Sequence, residues 1–132
     1  MTSEISPDVT PTVLIVDDEA LIRWSLRDRL VRAGYRVLEA ADGQSALSQL
    51  ANGEGTVDLM LLDLRLPDSD GLSLMKSAKS KAPDCAVIVM SAYGTEEVQR
   101  EALASGAAFF VPKPFKIDDV LGLVRRTLAS HA

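Results

Sequence analysis

The chain holds one cysteine, Cys85, and one histidine, His131, in 132 residues. A lone thiol cannot close an internal disulfide, and with no Cys or His cluster beside it there is no site for a soft metal. Cys85 therefore reads as a small apolar residue at the start of a strand. No apolar run approaches the roughly 20 residues that span a bilayer. No glycine-rich loop follows the first predicted strand, which excludes the usual cradle for nucleotide phosphates. Nor is there a dense basic cluster to offset the formal net charge of -5. Direct grip on a nucleic-acid backbone is thus not expected of this segment, because that grip is built from clustered Lys and Arg. Arg23, Arg27, Arg29 and Arg32 lie along one predicted helix and read as a solvated face balanced by Asp28. The first ten residues are polar, with Glu4, Pro7 and Asp8, and have neither the basic start nor the apolar stretch of a secretion signal. They read as a flexible tail, residues 1–10, ahead of a single domain over 11–130. With the lone cysteine, this gives the expectation of a reducing, cytoplasmic setting.

What is present is ordinary in amount, 47% hydrophobic and 25% charged residues, but ordered in pattern. Thr12–Val16 is β-branched and apolar without alternation, as in a strand covered on both faces. A helix follows from Ala20 to Ala33, with Ile22, Leu26, Leu30 and Ala33 on its apolar stripe and Gly34 as its stop. Trp24 falls off that stripe and is expected to be partly exposed or packed under a loop. Tyr35–Glu39 is a second strand, and Asp42 caps a helix over Gly43–Ala51. After a turn at Asn52–Thr56, Val57–Leu62 forms a third strand that delivers Asp63 at its exit, facing solvent or a cation. Asp70 opens a helix whose apolar face includes Leu72, Met75 and Ala78 or Lys79. Ala86–Met90 is the fourth strand, and Thr95 caps a helix to about Ser105. Ala107–Val111 is the fifth strand. The last helix carries Ile117, Val120, Leu121, Val124 and Leu128 on one face. Five strands alternating with five helices predict an α/β fold, a doubly wound five-stranded parallel sheet flanked by helices.

In such sheets, ligands bind outside the C-terminal ends of the strands. The polar residues predicted there are Asp17 and Asp18 after the first strand, Asp63 after the third, Ser91 after the fourth and Lys113 after the fifth. Each type is common in loops, but their convergence on one edge is not expected by chance. Three carboxylates about 5 Å apart repel by several kcal/mol at an effective dielectric near 20, so they ionise together only with a cation present. A hard ion resolves the conflict, and magnesium fits a set of carboxylates, waters and phosphate oxygens. A carboxylate beside magnesium, a lysine and a hydroxyl is equipped to accept a phosphoryl group. Asp63 stands alone on a central strand, while the adjacent Asp17 and Asp18 suit metal binding. That arrangement favours Asp63 as nucleophile without settling it.

The segments Val-Asp17-Asp18-Glu, Leu-Leu-Asp63-Leu-Arg-Leu-Pro67-Asp-Ser-Asp-Gly71, Met-Ser91-Ala92-Tyr-Gly and Lys113-Pro114-Phe115 occur together and in this order. In this combination, from Thr12 to about Leu128, the chain resembles the receiver domain of bacterial two-component response regulators, a flavodoxin-like fold. The resemblance implies that Asp63 accepts phosphate from the phosphohistidine of a sensor histidine kinase. It implies Mg2+ ligation by Asp18, Asp63 and the backbone carbonyl of Arg65, with Asp17 acting largely through water. Ser91, Ala92, Phe110 and Lys113 would bind the phosphoryl group or form the switch, and the Lys113-Pro114 bond would be cis. Phe110 is as readily a plain core residue, and without a hydroxyl it could switch by packing alone. Ser69 stands where the family often has an apolar residue and is expected to loosen the loop after Asp63. Arg65 and Tyr93 occupy positions that tune dephosphorylation in the family.

The implied protein is a signalling switch, weakly active in its own phosphorylation and dephosphorylation but not an enzyme in its own right. Its output surface would be the fourth helix, the fifth strand and the last helix, with homodimerisation there on activation. The wording around Leu21–Leu26 and Met90–Gly94 is most similar to receivers of enhancer-binding, sigma-54-dependent activators, which points to transcription regulation. A phosphohydrolase of the haloacid dehalogenase type, with Asp63 as nucleophile, is the alternative. It is disfavoured because its motif wants a second Asp where Arg65 stands and places its acidic metal pair after the nucleophile.

Overall fold

The computed structural model describes residues 10–51 and 56–130. The predicted tail and most of the Asn52–Thr56 turn lie outside those residues, as does His131. Five parallel strands form the sheet: β1 (Thr12–Val16), β2 (Arg36–Ala40), β3 (Leu59–Asp63), β6 (Ala86–Ser91) and β7 (Phe109–Pro112). Their spatial order is β2-β1-β3-β6-β7. The helices are α1 (Ala20–Arg32), α2 (Gly43–Ala51), α3 (Gly71–Lys81), α4 (Glu96–Ala104) and α5 (Ile117–Ser130). A two-stranded antiparallel ribbon, β4 (Arg65–Leu66) with β5 (Ser69–Asp70), lies between β3 and α3 and was not foreseen from the sequence. Pro67, which cannot donate to a ladder, sits in the turn of this ribbon.

The three middle strands are apolar on both faces because both faces are covered. Leu14, Val16, Met60, Leu62, Val87 and Val89 point to one side, where Ala46, Leu74, Met75, Ala78 and Ala102 of α2, α3 and α4 meet them. Val13, Ile15, Leu59, Leu61, Ile88 and Met90 point to the other, against Leu26 and Leu30 of α1 and Val120, Leu121 and Val124 of α5. Burying a side chain of this size contributes about 1.5–3 kcal/mol, so these two layers dominate folding. α1 ends as expected: Gly34 takes a φ of +100°, and the Tyr35 N–H reaches back to the Leu30 carbonyl at 3.1 Å. Asp70 and Thr95 cap α3 and α4 through the N–H groups of Leu72 and Val98. Trp24 is 64% exposed, off the buried stripe of α1.

Several boundaries moved by one or two residues, most at the starts of the third and fifth predicted strands. β3 begins two residues later than its apolar run suggests and takes in Asp63 as its last residue, because Asp63 pairs with Met90 across the sheet. β7 likewise starts at Phe109. Ala107 instead closes the end of α4 by an N–H bond to the Ala102 carbonyl, 3.1 Å. In α3 the inward face includes Leu74, while Leu72 is only partly buried.

Leu61 lies on the central strand and is fully buried. Leu61→Ala is expected to lower the unfolding free energy by about 2–5 kcal/mol, read as a shift of the urea midpoint at unchanged slope.

Candidate functional site

The parallel order brings the C-terminal ends of β1, β3, β6 and β7 side by side, and the loops leaving them form a shallow acidic pocket. Carboxylate oxygens of Asp17, Asp18 and Asp63 lie within 4.8 Å of one another. Asp17 is fully buried and Asp63 is 3% exposed, whereas Asp18 is open to solvent. Asp63 is therefore enclosed rather than solvent-facing, and its surroundings are polar: Oδ1 accepts the Arg65 N–H at 3.0 Å and Oδ2 accepts Lys113 Nζ at 3.2 Å. Lys113 Nζ also reaches Asp17 Oδ2 at 2.8 Å and Glu19 Oε1 at 3.1 Å.

One ammonium thus faces three carboxylates. Burial alone would lower the Lys113 pKa, but the hydrogen bond and charge of Asp17, the charge of Asp63 and the bond to Glu19 together hold it above its ordinary value. It stays protonated through the physiological range. For Asp63 the balance goes the other way. Burial raises its pKa above 3.8 and the Asp17 charge adds to this, against the lowering by the Arg65 N–H and Lys113. One cation does not neutralise the cluster, and an all-oxygen donor set with a surplus of negative charge suits a hard divalent ion. The residues fit magnesium on that ground.

Ser91 and Ala92 lie at the same edge, whereas Phe110 is set back within the sheet, paired with Val89. Ser91 ends β6, 1% exposed, with its Oγ accepting the Tyr93 N–H at 3.0 Å. Its carbonyl accepts the Lys113 N–H at 2.8 Å, fastening β7 to β6 beside the pocket. Ala92 is exposed in the loop that follows. Lys113-Pro114 is cis. Phe110 packs with the core layer of α2, α3 and α4, and also against Gly94: a Cβ on Gly94 would sit 2.5 Å from its ring. Arg65 extends over the Tyr93 ring, 3.9 Å from its centroid, at the rim.

Three contributors escaped sequence reasoning. Glu19 supplies a third partner to Lys113. Arg23 donates to the Asp17 carbonyl at 2.7 Å and to Glu39 at 3.1 Å, tying the acidic loop to β2. Asp68 takes the N–H groups of Gly43 and Gln44 at the start of α2, at 2.8 and 3.1 Å. Its carboxyl is held below the usual range by those two bonds. Asp68 thus ties the loop bearing Ser69 to the start of α2. Of the three, only Glu19 had a signal, its place in the Asp17-Asp18-Glu19 run.

An open α/β domain with carboxylates and a lysine gathered at its sheet edge is the class this geometry defines. The profile of the response regulator receiver domain matches residues 13–125. The DNA-binding transcriptional regulator NtrC of Salmonella typhimurium is 37% identical over 119 residues, which are 90% of this chain and 25% of that protein. The chemotaxis protein CheY of Bacillus subtilis is 35% identical over 117 residues, 88% of this chain and 96% of CheY. Among solved structures, a CheY-like receiver domain protein from Methanospirillum hungatei superposes with a TM-score of 0.87 at 30% identity, covering 92% of this chain and 96% of that one. The beryllofluoride-activated NtrC4 receiver domain dimer gives 0.85 at 30% identity, covering 92% and 98%. The chain belongs to the response regulator receiver domain family of two-component systems. It spans about a quarter of the length of the NtrC relatives. Receiver domains are signalling switches and not catalysts, and the haloacid dehalogenase alternative is not favoured.

Because the Asp63 pKa is raised on folding, its contribution to stability is present at acid pH and lost as pH rises through the folded value. Asp63→Asn should therefore raise the melting temperature of the metal-free protein by about 2–8 °C at pH 7. The gain should fade below about pH 4, where the wild-type carboxyl is protonated in either state. Scanning calorimetry at both pH values checks the sign.

Proposed function

We propose that the domain is a phosphorylation-activated switch in which Asp63 accepts a phosphoryl group from a sensor histidine kinase. The observation that carries this reading is the contact of one buried ammonium, Lys113 Nζ, with both Asp17 and Asp63. In the transfer, a carboxylate oxygen of Asp63 bonds to phosphorus while the bond from phosphorus to the kinase histidine breaks and its electron pair returns to the imidazole. Asp17, Asp18, Asp63 and the Arg65 carbonyl would hold magnesium. Bound there, it would draw negative charge from the phosphoryl oxygens. Lys113, held protonated, does the same from the other side, and with Asp63 esterified it is free to pair with a phosphoryl oxygen. Ser91, one residue beyond Met90, the partner of Asp63 on the neighbouring strand, would donate its hydroxyl to another.

The modification adds about -1.5 to -2 charges and strong acceptor oxygens. Drawing Ser91 toward them breaks its bond to the Tyr93 N–H, so the Ala92–Gly94 loop moves. Phe110, packed on Gly94, relays that movement to β7 by packing alone, and the surface of α4, β7 and α5 changes. Moving a population from 1% to 99% active takes about 5.5 kcal/mol. One or two charge-assisted hydrogen bonds fall short of that, so homodimerisation on the α4–β7–α5 surface supplies the remainder. The activated dimer among the structural neighbours supports this reading. The NtrC relatives support transcription regulation as the output, through further domains of a longer cytoplasmic protein.

Incubation with acetyl phosphate and magnesium, followed by intact mass, tests the reading. A single phosphoryl adduct is expected that needs magnesium and is absent in Asp63→Asn. Lys113→Ala should still take up phosphate but fail to drive dimerisation. An adduct that persists in Asp63→Asn overturns the assignment.

A further inference from the structure

The hairpin that leaves Asp63 is held at both ends. At its base the Gly71 N–H bonds the Leu64 carbonyl at 3.2 Å, and a Cβ on Gly71 would sit 2.4 Å from Leu64 Cα. Arg65, opposite Asp70 in the ribbon, turns its N–H to Asp63. At the tip, Asp68 accepts the N–H groups of Gly43 and Gln44, and Ser69 Oγ donates to Asp68 Oδ1 at 3.0 Å. The fit at the tip is tight, since a Cβ on Gly43 would meet Ser69 Oγ at 2.1 Å. A ribbon of two residues per strand is not stable by itself in water. Without the tip contact, the hairpin is held only at its base, by the Gly71 bond to Leu64 and the short β4–β5 pairing.

We propose that Asp68 is a positioning residue for the metal site: its grip on the start of α2 fixes the hairpin so that the Arg65 carbonyl and the Asp63 carboxylate are set before the cation arrives. Asp68 touches neither Asp63 nor the cation. It acts through the Arg65 backbone, as groups that orient metal ligands commonly do. The inference rests on the magnesium reading above. It also assigns a role to Gly43, where an added Cβ would displace the Ser69 hydroxyl that bonds Asp68.

The test is a calorimetric magnesium titration of the phosphate-free protein, with amide hydrogen exchange at Arg65–Asp70 as a second readout that needs no metal. Asp68→Ala is expected to weaken magnesium binding about tenfold and speed exchange in the hairpin. Asp68→Asn, which keeps one acceptor oxygen, should fall between Asp68→Ala and the wild type. Gly43→Ala should reproduce the loss by pushing the tip from the other side, and adding Ser69→Gly should restore most of it by vacating that space. Circular dichroism and a retained cooperative unfolding transition exclude a general loss of fold. Magnesium affinity unchanged in Asp68→Ala and Gly43→Ala overturns the positioning role while leaving the metal reading intact. A wild type that binds no magnesium overturns both.

Discussion

The ion pairs of Lys113 with Asp17 and Asp63 join the ends of β7, β1 and β3, strands far apart in the chain. An ammonium with 9% of its side chain exposed is tolerable only because carboxylates surround it. The carboxylates in turn can crowd together only because it is there. Yet the neutralisation is incomplete, since burial still lifts the Asp63 pKa. The site is poised rather than relaxed. A divalent cation and a phosphoryl group each change the charge balance that Lys113 maintains, and each is a means of control over its partners.

The rest of the fold serves to bring those side chains together. Apolar residues on both faces of β1, β3 and β6 make the sheet a rigid core between two helix layers. The chain's polar chemistry is expelled to one edge, where the β2-β1-β3-β6-β7 order sets the acidic loops beside each other. Around the pocket, backbone contacts do the fixing: Arg23 on the Asp17 carbonyl, the Lys113 N–H on Ser91, and Asp68 on the start of α2. These backbone contacts matter without touching a substrate, because a small displacement of a ligand atom weakens every interaction made to it.

Much of this was legible in the sequence, for reasons that can be traced to particular residues. Strands covered on both faces show as unbroken apolar runs, so Thr12–Val16 and Ala86–Met90 marked themselves. Asp17, Asp63, Ser91 and Lys113 stood out as polar residues at the exits of such runs. The β4–β5 ribbon did not, because four residues around Pro67 and Asp68 carry no periodicity, and their pairing is set by the Leu64–Gly71 closure. The tip contact of Asp68 with Gly43 spans 25 positions and depends on where α2 lands. The reading of Asp63 as facing solvent or a cation left its burial open for a similar reason: the cation it faces, the Lys113 ammonium, comes from 50 residues away.

The central claim is that folding places Asp63 in a buried, incompletely neutralised cluster that a hard cation completes. The most direct measurement is a carbon-13 NMR titration of the Asp63 carboxyl in the metal-free protein, repeated with magnesium. The account predicts a midpoint above 3.8 without metal and a fall when magnesium is added. A midpoint at or below that value, unmoved by magnesium, would contradict it.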